Sequence, residues 1–155
     1  MAGEDPATLA FRARALAQAH PLSPSAHRLV NRAVAEEART QPRPEIAAWA
    51  GTAIVQGYCL RRVQEDGDSV FADVTDDETL DRAATAHAAA LRTSTGNDVT
   101  VTALDRLVGS QIEHRLEPWR DELDDAAWSE LEQYLTWWVV KGYGLRVAET
   151  TVPAP

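Results

Sequence analysis

The chain has 155 residues, 45% of them hydrophobic, a formal net charge of −9, five Trp, three Tyr and a single Cys. Such a length and apolar share exclude a disordered chain and suffice for one packed domain without disulfide or metal staples. The acidic balance disfavours nucleic acid and anionic membrane as partners, and no basic run exceeds Arg61-Arg62.

Residues 1–6 have neither the basic stretch nor the apolar stretch of a signal peptide, which sets the expectation of a cytoplasmic protein. Asp5-Pro6 reads as N-cap and first helical residue, and helix 1 runs to about Ala19, where His20-Pro21 ends it. Ser23-Pro24 starts helix 2, with Leu29, Val30, Ala33 and Val34 inward, closing near Arg39. Pro42 and Pro44 stiffen a turn, and helix 3 extends from Glu45 to about Gln64. Its Ile46–Leu60 segment carries no charge over 15 residues. That falls short of the ~20 residues of a membrane span, so the reading is a core helix. Cys59 within it has no second cysteine to bond and reads as a small buried hydrophobe.

Gly67-Asp68 breaks the pattern, and the surrounding surface loop is the joint between two halves. Thr75 and Glu78 are spaced as a capping box for helix 4, which runs to about Arg92. After a turn-rich link at 93–98, Val99-Thr-Val-Thr102 favours strand locally, but a lone strand has nothing to pair with. The expectation is helix 5, capped near Asp98 or Thr102 and ending before Pro118. Pro118–Asp124 forms a helical turn with Trp119 tucked beneath it, Asp124 or Asp125 caps helix 6, and residues 150–155 are a loose tail.

Helices 3 and 6 echo each other. At a constant offset of 85, Glu45/Glu130, Val55/Val140, Gly57/Gly142, Tyr58/Tyr143, Leu60/Leu145 and Arg61/Arg146 are identical. A weaker echo at an offset of 78 pairs Arg28-Leu29-Val30 with Arg106-Leu107-Val108. The expected fold is therefore all-α: a six-helix bundle of two three-helix repeats, about 6–65 and 76–149, joined by a linker at 66–75. A pseudo-twofold relates the repeats, with helices 3 and 6 at the centre. Glycine inside a helix costs about 1 kcal/mol relative to alanine. Its recurrence at 57 and 142 suggests that the two helices cross there, backbone to backbone.

Chemical motifs are sparse. Gly57 and Gly142 lie mid-helix, where amides are already bonded and cannot cradle a phosphate. Glu113, His114 and Glu117 share a helical face and are weak metal candidates, but one helix cannot close a coordination shell, and no metal or other cofactor is expected. The most suggestive polar feature is the Tyr-x-x-Arg pair, Tyr58/Arg61 and Tyr143/Arg146, in which each Arg can lie over the Tyr on its own helix. The bland alternative has each Arg reaching outward from the end of its helix to Glu65 or Glu149. Trp137 and Trp138 point about 100° apart, so Trp138 in the core stripe turns Trp137 toward another helix or an interface.

The absence of a catalytic constellation, with surplus tryptophans, leads to a non-catalytic interaction protein: an adaptor, regulator or accessory subunit that binds a protein partner or itself, with no nucleic acid and no membrane. The alternative is a binding protein for a small anionic ligand, in a pocket between the central helices lined by Trp49, Tyr58, Trp138 and Tyr143, with Arg61 or Arg146 reading the charge. A cavity of ~300 Å³ or more beside either arginine is what that alternative requires.

Overall fold

A computed structural model describes residues 5–19, 21–41, 43–65, 76–93 and 98–151, and among them every regular element is helical. Six α-helices occur: α1 Pro6–Ala17, α2 Pro24–Thr40, α3 Pro44–Gln64, α4 Asp77–Thr93, α5 Asp98–Gln111 and α6 Asp125–Thr151. Helix starts follow the caps. Asp5 accepts from the Thr8 amide at 2.8 Å, Ser23 from Ala26 at 3.0 Å, and Asp124 from Ala127 at 2.7 Å, which satisfies amides that have no partner within the first turn. The cap of α4 is Asp76, whose carboxylate accepts from the Glu78 amide and the Thr79 hydroxyl. Thr75 and the proposed joint at 66–75 lie outside the described residues, as do 94–97 of the expected turn and 152–155 of the expected tail.

Residues 99–102 are helical, inside α5, with Thr100 buried, despite their local preference for strand. Helix 5 ends before Pro118, and its close is irregular. The α-helix ends at Gln111, a π-helical turn covers Ile112–Leu116, and a 3-10 turn, Glu117–Trp119, carries Pro118. The wider π-turn absorbs the chain before Pro118, which has no amide proton to donate.

The most extensive helix–helix contact joins α3 and α6, followed by α4 with α6. At the first crossing the glycines are the reason. A Cβ at Gly57 would collide with the backbone carbonyl of Val139, and one at Gly142 with the carbonyl of Ile54. The residues contacted, Ile54 and Val139, are themselves 85 apart, so the crossing is reciprocal in register. Gly144 does the same against α4, where an added Cβ would lie 2.5 Å from the Ala84 carbonyl oxygen. Bare backbone at these points lets the helices approach closely enough to exclude side chains from the gap. The continuous core then spreads outward from the crossing, through Leu60, Leu80, Leu107, Leu116, Leu135 and Val139. Among the described residues no helix is long and apolar enough to cross a membrane.

Candidate functional site

The polar centre of the molecule lies beside the glycine crossing. Arg146 and Glu149 on α6 are fully buried, at 0% exposure, as is Tyr58 on α3. Arg146 forms a bidentate pair with Glu65, through Nε to Oε1 and Nη2 to Oε2, both at 2.9 Å. A longer contact of 3.5 Å links its Nη1 to Glu149. Glu149 accepts from the Tyr58 hydroxyl at 2.8 and 2.9 Å and from the Ser23 hydroxyl at 3.2 Å. Burial raises the Glu149 carboxyl above the ordinary glutamate value, against the opposing pull of the Tyr58 and Ser23 hydroxyls and Arg146. The Tyr58 phenol is raised too, first by burial and then by the charge of Glu149.

A second network has the same form. The Tyr143 hydroxyl donates to Gln64 Oε1 at 2.6 Å, Gln64 Nε2 donates to the Thr100 hydroxyl at 2.9 Å, and Arg61 donates to the Tyr143 hydroxyl at 3.4 Å. Gln64 and Glu149 stand 85 residues apart, as the tyrosines and the arginines do. The expected pairing of each Arg with the Tyr on its own helix is therefore corrected. Arg61 lies over Tyr143 at 5.8 Å and Arg146 over Tyr58 at 5.7 Å, so the partners seen are exchanged between α3 and α6. The reason is steric: with glycines at the crossing, each ring is close to the facing helix. Arg146 does pair with Glu65 and Glu149, as in the bland reading, but it does so inside the core rather than by reaching outward.

Among the described residues, none of the cavities of about 90 to 910 Å³ gathers Trp49, Tyr58, Trp138 and Tyr143 into the pocket expected between the central helices. The residues assigned to it separate instead. Trp49 packs edge-on against Trp119 at 6.3 Å, with Arg43 stacked over Trp119 at 4.0 Å. Trp138 meets Tyr134 edge-on at 6.2 Å and borders a small gap of about 90 Å³. Trp137 is half-buried and packed against the core, not presented as an exposed patch. Among the described residues no group of three or more metal-ligating side chains forms. The π-turn breaks the regular helical face that would align Glu113, His114 and Glu117, and Glu117 pairs with Arg120 at 3.1 Å.

A cleft of about 910 Å³ opens elsewhere, between α1, α2, α3 and the junction of α5 with the π-turn. Val30, Val34 and Val55 give it an apolar floor, and Phe11, 64% exposed, stands on its lip. Gly51 also lines it, and an added Cβ there would lie 2.7 Å from a Val34 methyl. Polar groups converge on it from every wall: Arg14 from α1, His27 from α2, Gln56 from α3, Gln111 from α5, and His114 and Arg115 from the π-turn. Gln111 is 4% exposed, and its amide nitrogen donates to Gln56 at 3.4 Å. Its amide oxygen is buried and accepts no hydrogen bond. A buried acceptor left unpaired costs roughly 1–3 kcal/mol, a local cost of packing Gln111 against Gln56. Gln111 and Arg115 were not among the residues singled out from sequence. They reach the cleft through tertiary packing and the π-turn, and no local motif marks either. Gln64 and Glu149 were within reach, since the 85-residue offset aligns them. No protein-family model, curated protein or solved structure matches this chain.

Proposed function

We propose that this is a non-catalytic binding protein whose cleft between α1, α2, α3 and the π-turn receives a small organic molecule. The observation that carries the reading is the cleft itself, about 910 Å³, with a valine floor and polar side chains from four helices and the π-turn on its walls. Cofactor and metabolite sites combine an apolar lining, a few convergent polar groups and a volume of roughly 300–1,000 Å³. Binding is favoured over catalysis because, among the described residues, no carboxylate lines this cleft, so neither His27 nor His114 has an acidic group on its wall to orient it as a base. The central Tyr–Arg–Glu network supports the fold rather than a site: its members are packed, bonded and out of reach of solvent.

The same reading takes the chain as two three-helix units related by a pseudo-twofold through the Gly57–Gly142 crossing. The reciprocal glycine contacts support it, and so does the exchange of Tyr58, Arg61 and Gln64 with Tyr143, Arg146 and Glu149. A protein partner is the second reading. Phe11, a large apolar side chain 64% exposed, is the residue such a partner would cover.

The test is native mass spectrometry on protein purified gently, beside the variant Ala48→Trp, which places an indole in the cleft from an exposed lining position. A small mass bound to the natural protein, lost on denaturation and missing from the variant, is the expected result. A bound mass retained by the variant would place the ligand elsewhere and overturn the assignment. A co-purifying protein chain that survives Ala48→Trp but is lost in Phe11→Ala would favour the second reading.

A further inference from the structure

We propose that the cleft is selective for organic anions, so that its ligand joins an apolar body to a carboxylate or similar acidic group. This rests on the binding reading above and adds the charge of the ligand to it. The chain carries 24 acidic residues against 15 Lys and Arg, so a wall built from typical surface of this protein would include several carboxylates. Among the described residues the wall of the cleft has none. Its ionisable side chains are Arg14, Arg115, His27 and His114.

Among the described residues neither arginine has an internal partner. Arg28, Arg32, Arg120 and Arg146 pair with carboxylates of this chain, whereas Arg14 and Arg115 make no ion pair among the described residues. Arg14 sits in the last turn of α1, where the helix dipole favours a cation. Arg115 reaches the wall from the π-turn on the far side of the fold's sequence. An adjoining groove of about 660 Å³ shares Arg14, Ser110 and His114 but is bordered by Asp105 and Glu113. The cationic character is therefore a property of the larger cleft and not of that whole face. A guanidinium presents a planar fork of donors that matches a carboxylate, and the valine floor supplies apolar surface for the remainder of the ligand. A neutral ligand of equal size would use the floor and leave both guanidinium groups to water.

Two matched pairs of probes test this on the full chain by isothermal titration: indole-3-acetate with indole-3-acetamide, and decanoate with decanamide. We expect at least one acid to bind about tenfold or more tightly than its amide. In the double variant Arg14→Gln/Arg115→Gln that preference should disappear while the amide affinity and the melting temperature hold. In Ala48→Trp both members of the pair should weaken together. Equal binding of acid and amide, both lost in Ala48→Trp, would overturn anion selectivity and leave the binding reading standing. An acid preference that survives the double arginine change would overturn the roles of Arg14 and Arg115. Failure of every probe to bind, or binding that Ala48→Trp does not touch, would count against the cleft itself and so against both inferences.

Discussion

A carboxyl group and a guanidinium with no access to solvent are the costliest side chains in this core, and their partners determine what each substitution does. Arg146→Met leaves Glu149 buried without its cation and Glu65 without its bidentate partner, and breaking a buried pair from one side costs about 3–5 kcal/mol. Adding Glu149→Gln should recover part of that loss, because a glutamine already bonds Tyr143 at the matching position 64. Tyr58→Phe removes the donor to both oxygens of Glu149 and should cost about 1–3 kcal/mol. Urea unfolding of the four proteins measures all of this, and an Arg146→Met chain as stable as the natural one would refute the account. The pH dependence has a definite sign. Because burial raises the Glu149 carboxyl, the folded state holds that proton more tightly than the unfolded chain. Its contribution to stability is complete below the ordinary value of 4.5 and is lost as pH rises through the elevated folded value. Glu149→Gln should therefore gain stability relative to the natural protein as pH climbs above 4.5, and a difference independent of pH would show the carboxyl to be unperturbed. Cys59, whose thiol burial pushes up to about 12, should react with a thiol reagent only at the rate of global unfolding. Rapid labelling of the native chain would contradict that.

Helix pairs here are set by where side chains are missing. Gly57→Ala or Gly142→Ala inserts a methyl into a facing carbonyl, so α3 and α6 must separate along their length, at a cost of about 3 kcal/mol or more. Gly109, in α5, faces open space. Gly109→Ala should stabilise by up to about 1 kcal/mol through helix propensity alone. Thermal denaturation of the three variants separates the two cases, and a neutral Gly57→Ala would remove the close crossing. This feature was legible in the sequence, since glycine recurring at one register in two long apolar helices has few causes other than backbone approach. The caps Asp5, Ser23 and Asp124 were legible for a similar reason, because a short polar side chain before an apolar run acts on its own amides. The exchange of Tyr and Arg partners was not. Spacing of three residues places Tyr58 and Arg61 on one face but does not say which helix lies nearer, and the crossing decides that. The π-turn escaped as well, because it arises from fitting 112–116 between a packed α5 and Pro118, with no local residue that specifies it.

For the molecule as a whole, α3 and α6 depend on each other. Covering α3 requires α6, the Tyr58 hydroxyl finds its acceptor 91 residues away in Glu149, and the Tyr143 hydroxyl finds its own in Gln64. The cleft likewise joins distant stretches, since Arg14, Val30 and Val55 meet Gln111 and Arg115 there. That is why the cleft could not be read from the sequence: its members belong to four separate stretches, each unremarkable by itself. Burial of apolar surface is proportional to area removed from water, and a fragment of residues 1–65 would leave the face of α3 that bears Gly57, Tyr58 and Ile54 exposed. Such a fragment should be largely unstructured alone by circular dichroism, as should residues 76–155. Mixing the two should restore helicity and a cooperative transition, through the crossing and the two Tyr networks. Introducing Gly142→Leu into the second fragment should prevent that recovery, because the added side chain falls on the Ile54 backbone. A 1–65 fragment that folds cooperatively as a monomer would mean that each three-helix unit carries its own core, and the crossing would then be a docking contact between finished domains. Recovery on mixing, lost with Gly142→Leu, would instead make the glycine crossing the step that completes a single core.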